Sequence, residues 1–284
     1  MDSWRAWVAA ARFEDAILAP LCVAVGSSYA HYDAQPGPGL PAHLIVSLGA
    51  LAAGVGVNLV EHAWDRLQAE PPDPKNPLPE ERKALDARDT AIGAAGAIAL
   101  ACVCGLGLAP IAGAATSGYG ALAVVLGLAR GIPAVGLDAL GWGLSEIAAI
   151  VALGPLAASV GFASQVGTGS MGAVLAGIPA GLVAATPSLA RRFKMGEAGK
   201  ELRQAFMTLP LLAAAAVLFA VRGREYGPLA YAASLPMLLV AVAGWRMPAA
   251  PSEQDQRRWR MLATGCAIAA LVTIVVALRI ATPE

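Results

Sequence analysis

The stretch that decides the fold is residues 41–67, PAHLIVSLGALAAGVGVNLVEHAWDRL. Up to Val57 this stretch contains no Asp, Glu, Lys or Arg, and Glu61, His62 and Asp65 then follow within a few positions. A charge-free run of this length is typical of a transmembrane helix, which needs about 20 apolar residues to cross the hydrocarbon core of a bilayer. The three titratable residues therefore lie at one end of a predicted membrane span.

The composition of the whole chain agrees with a membrane protein. Of its 284 residues, 57% are hydrophobic and only 14% are charged, and the mean hydropathy is +0.61. A soluble domain of this size does not bury so much apolar surface. The formal net charge of zero gives no reason to expect a nucleic-acid partner. We therefore predict an all-α integral membrane protein with a single domain over residues 1–284.

Apolar windows of about 17 to 25 residues predict nine transmembrane helices. They are residues 15–33, 41–64, 90–109, 111–129, 143–165, 169–187, 204–222, 226–246 and 259–281. Only three of the 20 Lys and Arg residues, Arg222, Arg224 and Arg279, lie on the side opposite the other basic residues. The positive-inside rule then predicts a cytoplasmic N-terminus and an outside C-terminus. The two longest hydrophilic segments, residues 65–89 and 188–203, become cytoplasmic loops.

The N-terminal segment, residues 1–14, MDSWRAWVAAARFE, combines acidic and basic residues with a short apolar stretch. It lacks the basic region and the small-residue cleavage site of a secretory signal peptide. We predict a short interfacial amphipathic helix, with Trp4 and Trp7 at the depth of the lipid head groups.

The polar residues that end the second predicted span share one face of its helix. At 100° per residue, Asn58, Glu61, His62 and Asp65 fall within an arc of roughly 100°. Ionisable groups at membrane depth are unfavourable unless they face a cavity, a partner or an ion, so the stripe is a candidate site. The alternative is a solvated helix end, where Arg66 relieves the repulsion between the two acids. The stripe alone leaves both interpretations open.

Three segments together resemble the UbiA superfamily of intramembrane prenyltransferases, and most closely the branch that prenylates dihydroxynaphthoate on the way to menaquinone. The segment VNLVEHAWDRL is similar to that branch's Asn-Leu-x-Asn-Asp-x-x-Asp motif. Residues 141–185 are similar to its Gly-Leu-Gly-Glu stretch, its Gly-Pro and its Thr-Gly before an apolar span. GEAGKEL, residues 196–202, resembles the Gly-Lys that closes the second motif.

The resemblance implies a fold and a chemistry. It implies helices around a central cavity that is open to the cytoplasm and laterally to lipid. It also implies that an isoprenoid diphosphate binds there through Mg²⁺, held by carboxylates of both cytoplasmic motifs. An allylic carbocation, shielded from water, would then alkylate an aromatic acceptor.

Carried onto this chain, the resemblance implies candidate site residues. Asp65 and Glu61 would hold the metal and act in catalysis, and His62 would orient or deprotonate the acceptor. The residues implied to contact substrate are Asn58, Arg66, Arg191, Arg192, Lys194 and Lys200.

The chain departs from the family pattern at both motifs. Of the three aspartates in the first motif only Asp65 remains, since Glu61, His62 and Ala69 occupy the other positions. In the second motif the two aspartate positions hold Arg191 and Met195. A guanidinium cannot ligate Mg²⁺, although it can contact a phosphate directly.

Two functions therefore compete. The first is prenyl transfer to an aromatic acceptor, with Mg²⁺ as cofactor. The second is a non-catalytic protein that binds an isoprenoid lipid or a quinone from the membrane, as a subunit of a larger membrane complex. Loss of the second-motif aspartates favours the second function. A transporter has little support, because Glu146 is the one charged residue near a span midpoint and the family pattern already explains it.

The predicted topology can be tested by cysteine labelling. We expect Lys75→Cys to react with a membrane-impermeant maleimide from the cytoplasmic side and Glu225→Cys to react from the opposite side. Labelling of both positions from the same side would contradict the predicted orientation.

Overall fold

The computed structural model describes residues 3–33, 39–68, 85–131, 144–191, 199–223, 226, 228–248 and 251–281. All regular structure in these residues is helical. The α-helices are α1 Ser3–Ala11, α2 Phe13–Ala16, α3 Leu18–Tyr32, α4 Leu40–Gln68, α5 Ala87–Gly131, α6 Leu144–Val151, α7 Ala157–Val166, α8 Met171–Ala185, α9 Gly199–Arg222, α10 Ser234–Trp245 and α11 Glu253–Ile280. A π-helical turn, Ala152–Leu156, joins α6 to α7, and 3₁₀ helices cover Thr186–Arg191 and Pro228–Ala233.

Helix α5 is a hairpin of two antiparallel helices. Its backbone leaves the helical region at Gly113, where φ is 78° and ψ is 163°. The Ser117 hydroxyl donates a hydrogen bond of 2.9 Å to the Gly105 carbonyl, although in one straight helix these residues would lie about 18 Å apart. The sequence predicted the break at Ala109–Pro110. The chain instead reverses at the glycine, because a positive φ favours a residue without a Cβ.

The prediction of a multi-pass helical membrane protein is confirmed. Seven helices among the described residues are long and apolar enough to cross a membrane. One of them, Ala87–Arg130, contains the hairpin and so supplies two of the predicted spans. The first predicted span corresponds to α3, which has 15 residues, whereas the shortest of the seven spanning segments has 18.

Close contacts between small residues hold the central helices together. A Cβ on Gly26 of α3 would collide with the Ala158 carbonyl of α7, and a Cβ on Gly161 would collide with α3. Gly154 of the π turn packs in the same way against Gly177 and Gly181 of α8. Helices in lipid associate through such contacts, since the surrounding acyl chains are as apolar as the helices themselves. These contacts join α3 to α7 and the π turn to α8, and the buried core extends from them to α9, α10 and α11.

Aromatic residues mark the two ends of the bundle. Five tryptophans lie at what we call the tryptophan end, namely Trp4, Trp7, Trp64, Trp245 and Trp259. All five tyrosines of the chain lie at the opposite, tyrosine end, namely Tyr29, Tyr32, Tyr119, Tyr226 and Tyr231. Tryptophan and tyrosine concentrate at membrane interfaces. The two groups thus indicate where the bundle meets the two membrane surfaces.

The N-terminal helices α1 and α2 form a strap across the tryptophan end. Trp4 is 60% exposed, whereas Trp7 packs into a small cluster with Leu59 of α4 and Ala94 of α5. The ring of Trp7 lies directly over Gly93. Part of the predicted interfacial helix is therefore bound to the protein itself.

Both predicted loops are partly helical. Helix α4 continues to Gln68, so residues 65–68 belong to it. Helix α9 begins at Gly199, so residues 199–203 belong to that helix. Residues 69–84 and 192–198 lie outside the described part of the chain.

Candidate functional site

A cavity of about 530 Å³ opens between α3, α4, α5 and the α6–α7 segment. Its volume lies in the range of about 300–1,000 Å³ that is usual for small-molecule sites. The π turn contributes Ala152 and Leu153 to the wall, and the end of α8 contributes Ala184. The described part of the wall is therefore built mainly by helices, together with Pro187 and Ser188 of the 3₁₀ segment that follows α8.

Small residues on α4 and α5 create this space. Some glycines bring helices together, as at Gly49, where a Cβ would lie 3.0 Å from the Cβ of Cys104. Others face the open volume, and a Cβ on Gly105 would meet no described atom within 4 Å. Gly105 also lies on the cavity wall. The pattern of small side chains sets both the approach of the helices and the cavity between them.

The cavity is long and apolar, with a polar end. Asp15, Asn58, Arg130 and Ser188 lie on its wall near the tryptophan end. Ser117 lies on the same wall near the hairpin turn of α5. From Ser117 to Arg130, the second half of α5 rises by about 20 Å, at 1.5 Å per residue. The cavity therefore extends over more than half of the hydrocarbon thickness of a bilayer.

Asp15, on α2 of the strap, is bound by the last helix. Its carboxylate accepts a 2.9 Å hydrogen bond from Arg260 and a 3.4 Å hydrogen bond from Thr264, both on α11. Its side chain is only 6% exposed. Arg260 also pairs with Glu14 at 3.0 Å. The charge of Asp15 is thus balanced by the protein itself.

Asn58 joins the cavity wall to the strap. Its side-chain nitrogen donates a 3.0 Å hydrogen bond to the Ala11 carbonyl. This bond holds the junction of α1 and α2, where Arg12 has a left-handed φ of 46°. Because the nitrogen is turned toward the strap, the amide oxygen remains as an acceptor at the polar end of the cavity.

The three titratable residues of the stripe do not line the cavity. Glu61 accepts a 2.6 Å ion-paired hydrogen bond from Arg12, and both side chains are largely buried. His62 is half-buried and Asp65 is exposed. Of the predicted residues on α4, Asn58 alone is on the wall of the cavity. The stripe therefore packs partly against the strap.

The second predicted motif is described only at its edges. Arg191 ends the 3₁₀ helix that follows α8, and Lys200 lies in the first turn of α9. Arg192 and Lys194 fall outside the described residues. Arg66 is half-buried near the end of α4 and does not line the cavity.

Sequence reasoning missed two charged residues of the cavity, Asp15 and Arg130. Both lie at the ends of predicted spans, where charges are common and carry little information.

The described carboxylates do not fit a Mg²⁺ site of the implied kind. Among the described residues no group of three or more His, Cys, Asp and Glu side chains is placed to hold a metal. Glu61 is engaged by Arg12, and Asp65 lies away from the cavity. A diphosphate-bound Mg²⁺ needs several oxygen ligands that face one another.

Comparison with known proteins shows where this architecture occurs. No protein-family model matches the chain, and no curated protein matches its sequence. The fold, however, matches a solved structure of digeranylgeranylglyceryl phosphate synthase, with a TM-score of 0.59 over 98% of this chain and 99% of the other, at 11% identity. It also matches a UbiA homologue from Archaeoglobus fulgidus bound to GPP and Mg²⁺, with a TM-score of 0.51 over 95% and 99% of the two chains, at 12% identity. The same homologue bound to Cd²⁺ gives a TM-score of 0.50 with the same identity and coverage.

The chain thus has the helical membrane fold of the UbiA-type prenyltransferases. The match covers nearly the full length of both chains, so the whole architecture is shared. At 11–12% identity the match concerns the fold alone, because one fold can carry unrelated activities.

The contact between Arg12 and Glu61 can be tested by charge reversal. We expect Arg12→Glu to lower the free energy of unfolding by about 1–2 kcal/mol, because two largely buried carboxylates would then face each other. The double variant Arg12→Glu with Glu61→Arg should regain most of this loss in thermal unfolding of the purified protein. Arg257→Glu, at an exposed position of α11, is the matched control and should change stability little. A double variant no more stable than the single one would contradict the pairing.

Proposed function

We propose that the protein binds an isoprenoid lipid in the cavity without catalysing Mg²⁺-dependent prenyl transfer. One observation carries the proposal. The cavity is a long apolar crevice, whereas Glu61, the carboxylate expected to hold a metal, is paired with Arg12 away from its wall. A crevice of this kind supplies apolar contact for a hydrocarbon chain, which gains about 0.8 kcal/mol for each buried CH₂ group.

The fold supports an isoprenoid as the occupant. A solved structure with the same fold, that of a UbiA homologue, contains GPP and Mg²⁺. A second structure with this fold is that of digeranylgeranylglyceryl phosphate synthase. The chain keeps the architecture of these proteins over nearly its whole length. An isoprenoid chain in the crevice is therefore the occupant that both the fold and the apolar wall favour.

Exposed residues on the cavity wall support entry from the membrane. Leu106 is 71% exposed and Val125 is 58% exposed, and both line the cavity. An apolar wall that continues onto the lipid-facing surface lets a lipid enter laterally, without crossing water. With the N-terminus in the cytoplasm, the polar end of the cavity would face that side.

Prenyl transfer is the second candidate, and the shared fold favours it. It needs carboxylates around a diphosphate-bound metal. Glu61 and Asp65 do not lie on the cavity wall, and the second motif has Arg191 and Met195 at its aspartate positions. Arg191 would repel a metal ion and not bind it.

Filling the cavity tests lipid binding. Gly105→Leu places a side chain in open space on the cavity wall, and we expect at least a roughly ten-fold weaker affinity for geranylgeranyl lipids, because the volume for the chain is lost. Gly107→Leu is the matched control, since a Cβ there also meets no described atom within 4 Å and the residue does not line the cavity. Binding is measured with a fluorescent prenyl lipid in nanodiscs. Equal affinities in the two variants would contradict the proposed cavity.

Catalysis is tested with purified protein, Mg²⁺, geranylgeranyl diphosphate and dihydroxynaphthoate. We expect turnover far below that of enzymes with intact motifs, because the metal lacks facing ligands. The double variant Arg191→Asp with Met195→Asp should increase Mg²⁺-dependent diphosphate binding, since it replaces a cation with two carboxylates. Robust turnover of the unmodified protein that Asp65→Ala abolishes would overturn the non-catalytic proposal.

A further inference from the structure

Each hydroxyl group on the described cavity wall donates its hydrogen bond to a backbone carbonyl of the protein. Thr116 donates to the Ala112 carbonyl at 3.0 Å, and Ser117 donates to the Gly105 carbonyl at 2.9 Å. Ser188, at the polar end, donates to the Ala185 carbonyl at 2.7 Å. Each hydroxyl can still accept a hydrogen bond, but none has a second proton to donate.

The Asn58 side-chain amide at the polar end also has its donor occupied within the protein and its acceptor left for a ligand. Asn58 uses its side-chain nitrogen on the Ala11 carbonyl, and no described group donates to its oxygen. The polar end therefore presents two neutral acceptors to a ligand, the Asn58 oxygen and the Ser188 hydroxyl oxygen, beside the Arg130 guanidinium, which can only donate. An acceptor left without a donor in an apolar cavity is unfavourable, so these atoms favour a ligand that donates.

The charges on the described wall are balanced. Asp15 is its one acidic residue and Arg130 its one basic residue. Asp15 is held by Arg260 and Thr264, and so is not a free ligand for a metal. A multiply charged anion placed here would lose its hydration and meet, among the described residues of the wall, a single cationic side chain in return. A neutral head group avoids this penalty.

From these contacts we infer that the cavity selects an isoprenoid with a neutral hydroxyl head group, that is, a prenyl alcohol or a phenol with a prenyl chain. A hydroxyl can donate its proton to the Asn58 or Ser188 oxygen and accept a hydrogen bond from the Arg130 guanidinium on the same wall. A diphosphate and an aldehyde can only accept at these positions. This inference rests on the proposed function, since it specifies the head group of the lipid in the same cavity.

Three ligands with the same chain separate the possibilities. Geranylgeraniol, geranylgeranial and geranylgeranyl diphosphate compete with a fluorescent prenyl lipid in nanodiscs, with and without Mg²⁺. The alcohol should bind about five-fold more tightly than the aldehyde, which has the same heavy atoms but no hydroxyl proton. The diphosphate should bind at least about ten-fold more weakly than the alcohol, with or without the metal.

Variants assign the preference to the two acceptors. In the double variant Asn58→Ala with Ser188→Ala, the affinity ratio of alcohol to aldehyde should fall to about one. The ratio is insensitive to a general weakening of the fold, because both ligands share the chain. Thr273→Ala is the matched control, since Thr273 donates to the Ala269 carbonyl in the same way, is half-buried on α11 and does not line the cavity.

The outcomes distinguish this inference from the function on which it rests. If none of the three ligands binds in a manner that Gly105→Leu weakens, the proposed lipid binding fails. If they bind but the aldehyde or the diphosphate equals the alcohol, the head-group inference fails and lipid binding stands. If the affinity ratio of alcohol to aldehyde stays near five in the double variant, groups other than Asn58 and Ser188 recognise the hydroxyl, and the assignment is overturned.

Discussion

The bundle depends on close contact between helix backbones in a medium that offers no hydrophobic drive for helix association. Gly154 against Gly177 and Gly181, and Gly26 against α7, leave no space for even a methyl group. The same residue type has the opposite effect on α5, where Gly105 faces open volume. Small side chains therefore bind the core where they face a helix, and leave a cavity where they do not.

Two ion pairs join separate helices at the tryptophan end of the bundle. Arg12, between α1 and α2, reaches Glu61 on α4, while Arg260 on α11 reaches Asp15 on α2. Both pairs thereby tie the strap to the bundle, one to α4 and the other to α11. Partly buried charges of this kind are stable only as pairs, because loss of one partner leaves the other charge desolvated. The carboxylates are consequently part of the fold, and a role in chemistry would have to compete with that structural role.

The sequence predicts the spans well, since hydropathy over about 20 residues reports directly on the solvent around each helix. It predicts the turn of α5 less well, because Pro110 is tolerated inside a membrane helix and Gly113 carries the reversal. It also predicts that Asn58, Glu61, His62 and Asp65 share one face of α4. Periodicity does not say what that face meets, however, and the contact of Glu61 with the strap spans 49 residues of sequence. Pairings at such a separation are properties of the tertiary structure.

The fold separates two requirements that a prenyltransferase must meet together. The crevice for the chain is made by small residues on α4 and α5, and the diphosphate chemistry by charged groups at one end. Changes at the second set leave the first intact, so an architecture shared at 11% identity is compatible with a different use of the cavity. In this chain the change involves more than absent aspartates at positions 191 and 195, because Glu61 is also held by Arg12. Restoring acids on the second motif alone would supply one side of a metal site. The other side would require Glu61 to leave its arginine, at the expense of the contact that holds the strap in place.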